Sequence, residues 1–182
     1  MAGSSFYDNY VPTLNNILES LEAILTRAET HAKENNIDVN AEYAPARLHA
    51  DMLPLTFQVQ AVTNLAKSFV EKVAGVKVEV WEDDETTFEQ LFARINKARE
   101  LTKGVKPEDV NGKEHQTIEG KAGASVYRTT CLTCVTTFIL PNLFFHLQTA
   151  YAILRMKGVP LSKLDYLFAF LSKDTNSPYG QA

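Results

Sequence analysis

Little in the sequence marks a partner by charge. Its 18 lysines and arginines are outnumbered by 22 aspartates and glutamates, for a net charge of −4 and a pI near 5.6. No basic surplus points to nucleic acid or to an acidic membrane surface, so neither is expected as a partner. Cysteine is scarce as well, with only Cys131 and Cys134, which excludes a disulfide-stapled scaffold and fits free thiols in a reducing compartment. The N-terminal stretch MAGSSFYDNYVPTL lacks a basic n-region and an apolar h-region, so no signal peptide is expected and the cytoplasm is the expected location. There is no glycine-rich phosphate loop, no G-x-S-x-G elbow, no paired-cysteine zinc motif and no internal repeat. These gaps remove the common nucleotide-binding, serine-hydrolase and zinc-finger readings.

What is present is an ordinary globular composition, 45% hydrophobic and 22% charged over 182 residues. That length suits a single domain spanning 1–182, with a core large enough to fold without disulfide or structural metal. One stretch is unusual: from Cys131 to Leu154 there is no Asp, Glu, Lys or Arg. It is long enough to cross a bilayer, but Thr133, Thr136, Thr137, Asn142, His146, Gln148 and Thr149 make that placement expensive. A helix packed in protein, with one polar face, explains it better.

Periodicity predicts four long helices. Apolar residues at 14, 17, 18, 21, 24 and 25 set the first, from about Pro12 to Lys33. Residues 35–51 read as a long irregular connection. Pro54 opens the second, with a stripe of Leu55, Val59, Val62, Ala66, Phe69 and Val73 that Gly75 stops. The third starts with a capping box, Thr86-Thr-Phe-Glu89, and runs to Gly104. The acidic run Glu82-Asp-Asp-Glu85 before it reads as partners of the helix dipole rather than metal ligands. His115–Glu119 and Ala124–Tyr127 are expected to form a short β-hairpin. The fourth helix runs from about Arg128 to Lys157, with Pro141 expected to kink it, and Leu161–Leu171 forms a short last helix or an apolar tail. The result is an all-α four-helix bundle with crossover connections.

Three segments carry a resemblance: Ala46-Arg-Leu-His-Ala-Asp-Met-Leu-Pro-Leu55, Glu85-Thr-Thr-Phe-Glu-Gln-Leu91, and Leu140-Pro-Asn-Leu-Phe-Phe-His-Leu-Gln-Thr-Ala-Tyr-Ala-Ile-Leu-Arg155 with Gly158-Val-Pro160 behind it. The chain resembles the uncharacterised DUF1993 family of the DinB/YfiT-like superfamily of metalloenzymes, over Tyr7 to Tyr166. The resemblance implies a four-helix bundle, often a homodimer. It also implies a divalent metal held by three histidines, one near the second helix and two on a later one. His49 and His146 match that pattern, but the third position holds Thr137, and Asn142 and Ala150 stand where a helical histidine pair would need its second member. His31 and His115 are the remaining histidines.

Asn142, His146 and Thr149 fall at helical spacings of four and three, on one face of the fourth helix. A neutral imidazole near pH 7 can take or give a proton. The expected site is therefore an interhelical pocket for a small organic molecule. His146 and His49 would be its catalytic groups, Asp51, Asn142 and Thr149 its polar contacts, and Phe138 and Phe145 its apolar walls. The expected chemistry is metal-independent proton transfer of the isomerase, cyclase or dehydratase kind, with no cofactor. A DinB-type metal-dependent transferase or hydrolase, and a non-catalytic binding or stress-associated protein, are the alternatives. Cys131-Leu-Thr-Cys134 lacks a redox or zinc context and reads as two buried apolar thiols. Because only two of three histidine positions are filled, protein purified without added metal should carry well under one equivalent of zinc, nickel or manganese. Stoichiometric metal that survives dialysis against a weak chelator would give the metalloenzyme alternative the lead.

Overall fold

The computed structural model describes residues 4–122, 125–173 and 178–180. Its first helix, α1 (Phe6–Glu34), begins earlier than the Pro12 start predicted from periodicity. Ser5 supplies the reason. Its hydroxyl accepts from the Asp8 amide at 3.2 Å while Asp8 accepts from the Ser5 amide at 3.3 Å, a capping box that satisfies two otherwise orphaned donors. Pro12 lies inside the helix on an exposed position, where the carbonyl it leaves unpaired can meet water. Asn111 caps the Tyr7 amide at 2.9 Å.

The long connection after α1 is not wholly irregular, since it holds the single turn α2 (Val39–Glu42). Asn40 of that turn accepts from the Phe88 amide at 2.9 Å, so this connection helps to cap a later helix. Pro54 stands just outside α3 (Leu55–Phe69), as its N-cap. A π-helical turn, Val70–Ala74, extends α3 to Gly75, which takes φ 79° and stops it. Next comes α4 (Phe88–Lys103), whose capping box sits one residue later than predicted. Thr87 accepts from the Gln90 amide, and Gln90 Oε1 accepts from the Thr87 amide at 3.0 Å. Gln90 replaces Glu89 in that role.

After the short turn α5 (Pro107–Val110), β1 (Thr117–Ala122) pairs antiparallel with β2 (Ser125–Thr130), Thr117 opposite Thr130. The predicted hairpin is there, shifted a few residues along the chain; Gly123 and Ala124 lie outside the described residues. Tyr127 lies over Gly120, where a Cβ would meet its ring at 2.2 Å. The last long helical stretch comprises α6 (Cys131–Cys134), a π-helical turn (Val135–Ile139) and α7 (Leu140–Met156). The widened turn ends just before Pro141, with the Leu140 amide bonded to the Val135 carbonyl. The irregularity predicted at the proline is thus taken up one turn earlier. Residues 163–171 form α8 (Lys163–Leu171).

Among the described residues the protein is mostly helical, with one small two-stranded sheet. The core forms where α1, α3, α4 and α7 meet: α3 packs on α7 and α4, and α1 packs on α4, α7 and α8. Leu18, Leu21, Ile24, Leu55, Leu91 and Leu147 are fully buried there. The Cys131–Met156 stretch is long and apolar enough to cross a membrane by length and composition, and a third of its most apolar window is buried in protein.

One polar cluster lies within this frame. Arg94 of α4 is 4% exposed and uses its donors on Thr63 Oγ1 (2.8 Å), the Glu82 carbonyl (2.7 Å), Glu85 (2.6 Å), Asn64 Oδ1 (2.8 Å) and Asp83 (2.5 Å). Trp81 lies 5.4 Å from the guanidinium, with Lys97 and Lys67 also over its ring. The acidic run before α4 is therefore more than a set of dipole partners: Asp83 and Glu85 neutralise a buried cation that links α3, α4 and the segment between them. Removing one side of such a pair leaves uncompensated buried charge, so Arg94→Met should cost about 3 kcal/mol or more in urea unfolding. Loss under 1 kcal/mol would show that the cluster does not hold the frame.

Candidate functional site

His146 projects from α7 towards α3 and is half-buried. Its Nδ1 lies 2.8 Å from Oε1 of Gln58. The direction of that bond follows from what holds Gln58. The Gln58 amide nitrogen donates to the Leu53 carbonyl at 2.9 Å and the Pro54 carbonyl at 3.3 Å, so its oxygen must face the histidine, and Nδ1 must carry the proton. Nε2 is left with its lone pair. Among the described residues, the one buried side-chain polar atom without a partner is Trp81 Nε1, so His146 Nε2 is reached by solvent rather than sealed in the core. Burial lowers the pKa of His146 from its ordinary value near 6.5, because a charged ring is poorly hydrated there. The ring is therefore neutral at pH 7, of one tautomer, with a free base nitrogen.

Two aromatic rings stand edge-on to it, Phe57 at 5.8 Å and Phe145 at 5.2 Å. Phe145 is 58% exposed and Phe138 43% exposed. The internal apolar wall expected from these two residues is not what they form; both lie on the outer surface of the last long helix. The π-helical turn through Phe138 changes the phase of that helix before α7 begins, which periodicity cannot reveal. The clefts around Trp81 and Arg94 (about 350 Å³) and around Lys77, Trp81 and Leu101 (about 660 Å³) are lined by other residues than His146.

Asn142 and Thr149 share the face of His146 but turn back on their own helix. Asn142 donates to the Phe138 carbonyl at 2.6 Å and Thr149 to the Phe145 carbonyl at 2.7 Å. Both are thus satisfied without a ligand. His49 and Asp51 are exposed on the connection before α3 and bond each other at 2.6 Å; no bond joins them to His146. They sit in the same connection as Leu53, whose carbonyl orients Gln58. Gln58 itself was missed from sequence, since it reads as a polar interruption of the α3 stripe. Its position one residue before Val59, at the buried edge of that stripe, was the available signal.

The donor set does not fit a DinB-type divalent metal. The imidazole of His146 meets an amide, not a second histidine, and Thr137, at the third position, is exposed and bonded to the Thr133 carbonyl. Among the described residues no three His, Cys, Asp or Glu side chains converge. His31 is engaged at 3.0 Å with the buried Tyr43 hydroxyl, whose own pKa burial pushes up. His115 is exposed. The two cysteines are buried and free, and desolvation raises both thiol pKa values, which suits inert packing groups rather than nucleophiles.

No curated protein matches the chain. Among solved structures, it is similar to the crystal structure of a DinB family member protein from Shewanella denitrificans. That protein is 31% identical, the likeness covers 88% of this chain and 90% of that one, and the TM-score is 0.79. The model of a domain of unknown function (DUF1993) matches residues 6–167. With the helical architecture and both comparisons in agreement over nearly the whole length, the chain belongs to the DUF1993 family and shares the fold of the DinB family.

Proposed function

We propose that this protein is a small-molecule-binding four-helix bundle with crossover connections, in which His146 serves as a metal-independent general base or acid of the isomerase, cyclase or dehydratase kind. The observation that carries this reading is the Gln58 bond. An imidazole that only fills space needs a satisfied N–H; this one is also held in a single tautomer, with Nε2 free, half-desolvated and at the surface. A base of lowered pKa that stays neutral at pH 7 suits abstraction of an acidic C–H or O–H proton. Phe57 and Phe145 supply apolar contact for a small organic substrate, and Gln58 holds the ring against rotation. His49, Asp51, Asn142 and Thr149 take no part in this assignment beyond the connection that His49 and Asp51 share with Leu53.

A non-catalytic binding protein is the second reading, favoured by the exposure of Phe138 and Phe145. The two differ in proton transfer. Wild-type protein in D2O, screened against small ketones, lactones and related carbon acids, should accelerate deuterium incorporation, and His146→Gln should abolish it while circular dichroism stays unchanged. Binding of such compounds without any exchange would favour the second reading.

The site also generates a pH dependence. The pKa of His146 is lower in the folded state than in the unfolded one, so the unfolded chain binds the extra proton first. The stability contribution is complete above about pH 6.5 and is lost as pH falls through the folded value. The unfolding midpoint should therefore decline between pH 7 and 5, and His146→Gln should flatten that decline. Nitrogen-detected NMR should find the proton on Nδ1. Gln58→Glu should reverse the sign of the shift, raising the His146 pKa above its ordinary value by adjacent negative charge; an unchanged pKa in that variant would remove Gln58 from the site.

A further inference from the structure

Between Gly75 and the cap of α4, residues 75–86 run without helix, turn or bend. The first part of this segment, Val76-Lys-Val-Glu-Val80, alternates β-branched and charged residues with the period of a strand. Yet among the described residues the only ladder joins β1 to β2. Among the described residues, no backbone N–H or C=O of residues 77–81 makes a hydrogen bond. Val80 is 82% exposed and Val76 43%, while Val78 and Trp81 are partly buried against the core. It is also fixed at its ends, by the left-handed Gly75 on one side and by the Arg94 bonds to Glu82, Asp83 and Glu85 on the other. A preformed extended edge with free main-chain groups is a template for strand addition, and its ordering entropy is already spent.

The charge pattern selects the occupant. When two copies pair antiparallel about Val78, Lys77 stands opposite Glu79 of the partner subunit, and Val76 stands opposite Val80 of the partner subunit. Among the described residues Lys77 has no ion-pair partner, and Glu79 meets Lys97 through an exposed contact at 2.7 Å. Charges that would repel a strand of like pattern thus become cross-strand pairs by symmetry. We propose that this protein forms a homodimer by antiparallel pairing of residues 76–80 with the same segment of a second copy. The resemblance implies only that a dimer exists; the inference here is where the contact lies, and it is independent of His146.

The test is a charge exchange followed by sedimentation equilibrium. Wild type should sediment as a dimer that Lys77→Glu and Glu79→Lys each weaken by about tenfold or more, because each places like charges opposite one another twice. The double variant K77E/E79K should regain wild-type association. A purely structural role for Glu79 with Lys97 would not be rescued by changing Lys77, and circular dichroism should confirm that every variant is folded. Amides of residues 77–81 should gain hydrogen-exchange protection as concentration rises. A monomer at all concentrations would overturn the proposal, as would a dimer indifferent to the three variants, which would place the contact elsewhere, for instance on the exposed aromatics of α7.

Discussion

The frame depends on one buried cation. Arg94 lies on α4 with its guanidinium out of water, and such a group is tolerated only when its N–H donors are matched. The matching partners come from two places: Thr63 and Asn64 on α3, and the Glu82 carbonyl with the Asp83 and Glu85 carboxylates on the connecting segment. Gln60 completes the set by donating to the second oxygen of Glu85 at 3.0 Å. The guanidinium therefore fixes where the segment after α3 must run before α4 can begin. The apolar stripes bring α3 and α4 together without direction; the cluster sets their relation to the chain that joins them.

The same economy of donors governs α7. The helical stretch that α7 completes, without charged residues from Cys131 to Leu154, still carries threonines, an asparagine and a histidine. Across the π-helical turn and α7, Thr136, Thr137, Asn142 and Thr149 are silenced by bonds to the preceding turn of the same helical stretch. The histidine is too rigid to reach back in that way, so its ring nitrogen must find a tertiary partner, and Gln58 provides it. Polarity on this face thus divides into side chains that close on themselves and one that reaches across to α3.

Much of the fold was legible because buried stripes obey a simple period. Leu14 to Leu25, Leu55 to Phe69 and Phe88 to Leu91 are buried as their spacing predicts, with Pro54 and Gly75 close to where they terminate or begin an element. Boundaries were less legible where a cap competed with its neighbour. Thr86 and Thr87 are both able to cap α4, and the choice of Thr87 rests on Gln90 reaching back, a contest of local geometries rather than of composition. The site was half legible. His146 could be singled out because an imidazole in a charge-free helix requires a partner. Gln58 could not, because its role depends on the carbonyls of Leu53 and Pro54 in a connection without period. Phe138 sits in a π-helical turn that hydrophobic spacing does not announce, whereas Phe145 is exposed because it lies off the buried stripe of Leu143, Leu147, Ala150 and Leu154, which the helical period does show.

The Arg94 corner has a spectroscopic consequence. Trp81 is the one tryptophan in the chain, and its indole sits against Arg94, Lys67 and Lys97 with an N–H that has no acceptor. Its emission therefore reads a single address in the protein, the junction of α3, α4 and the extended segment. It does not see the α7 face where His146 lies. An optical unfolding curve and a far-ultraviolet one are consequently measurements of different things here. Their coincidence or separation reports whether this corner melts with the helices or ahead of them.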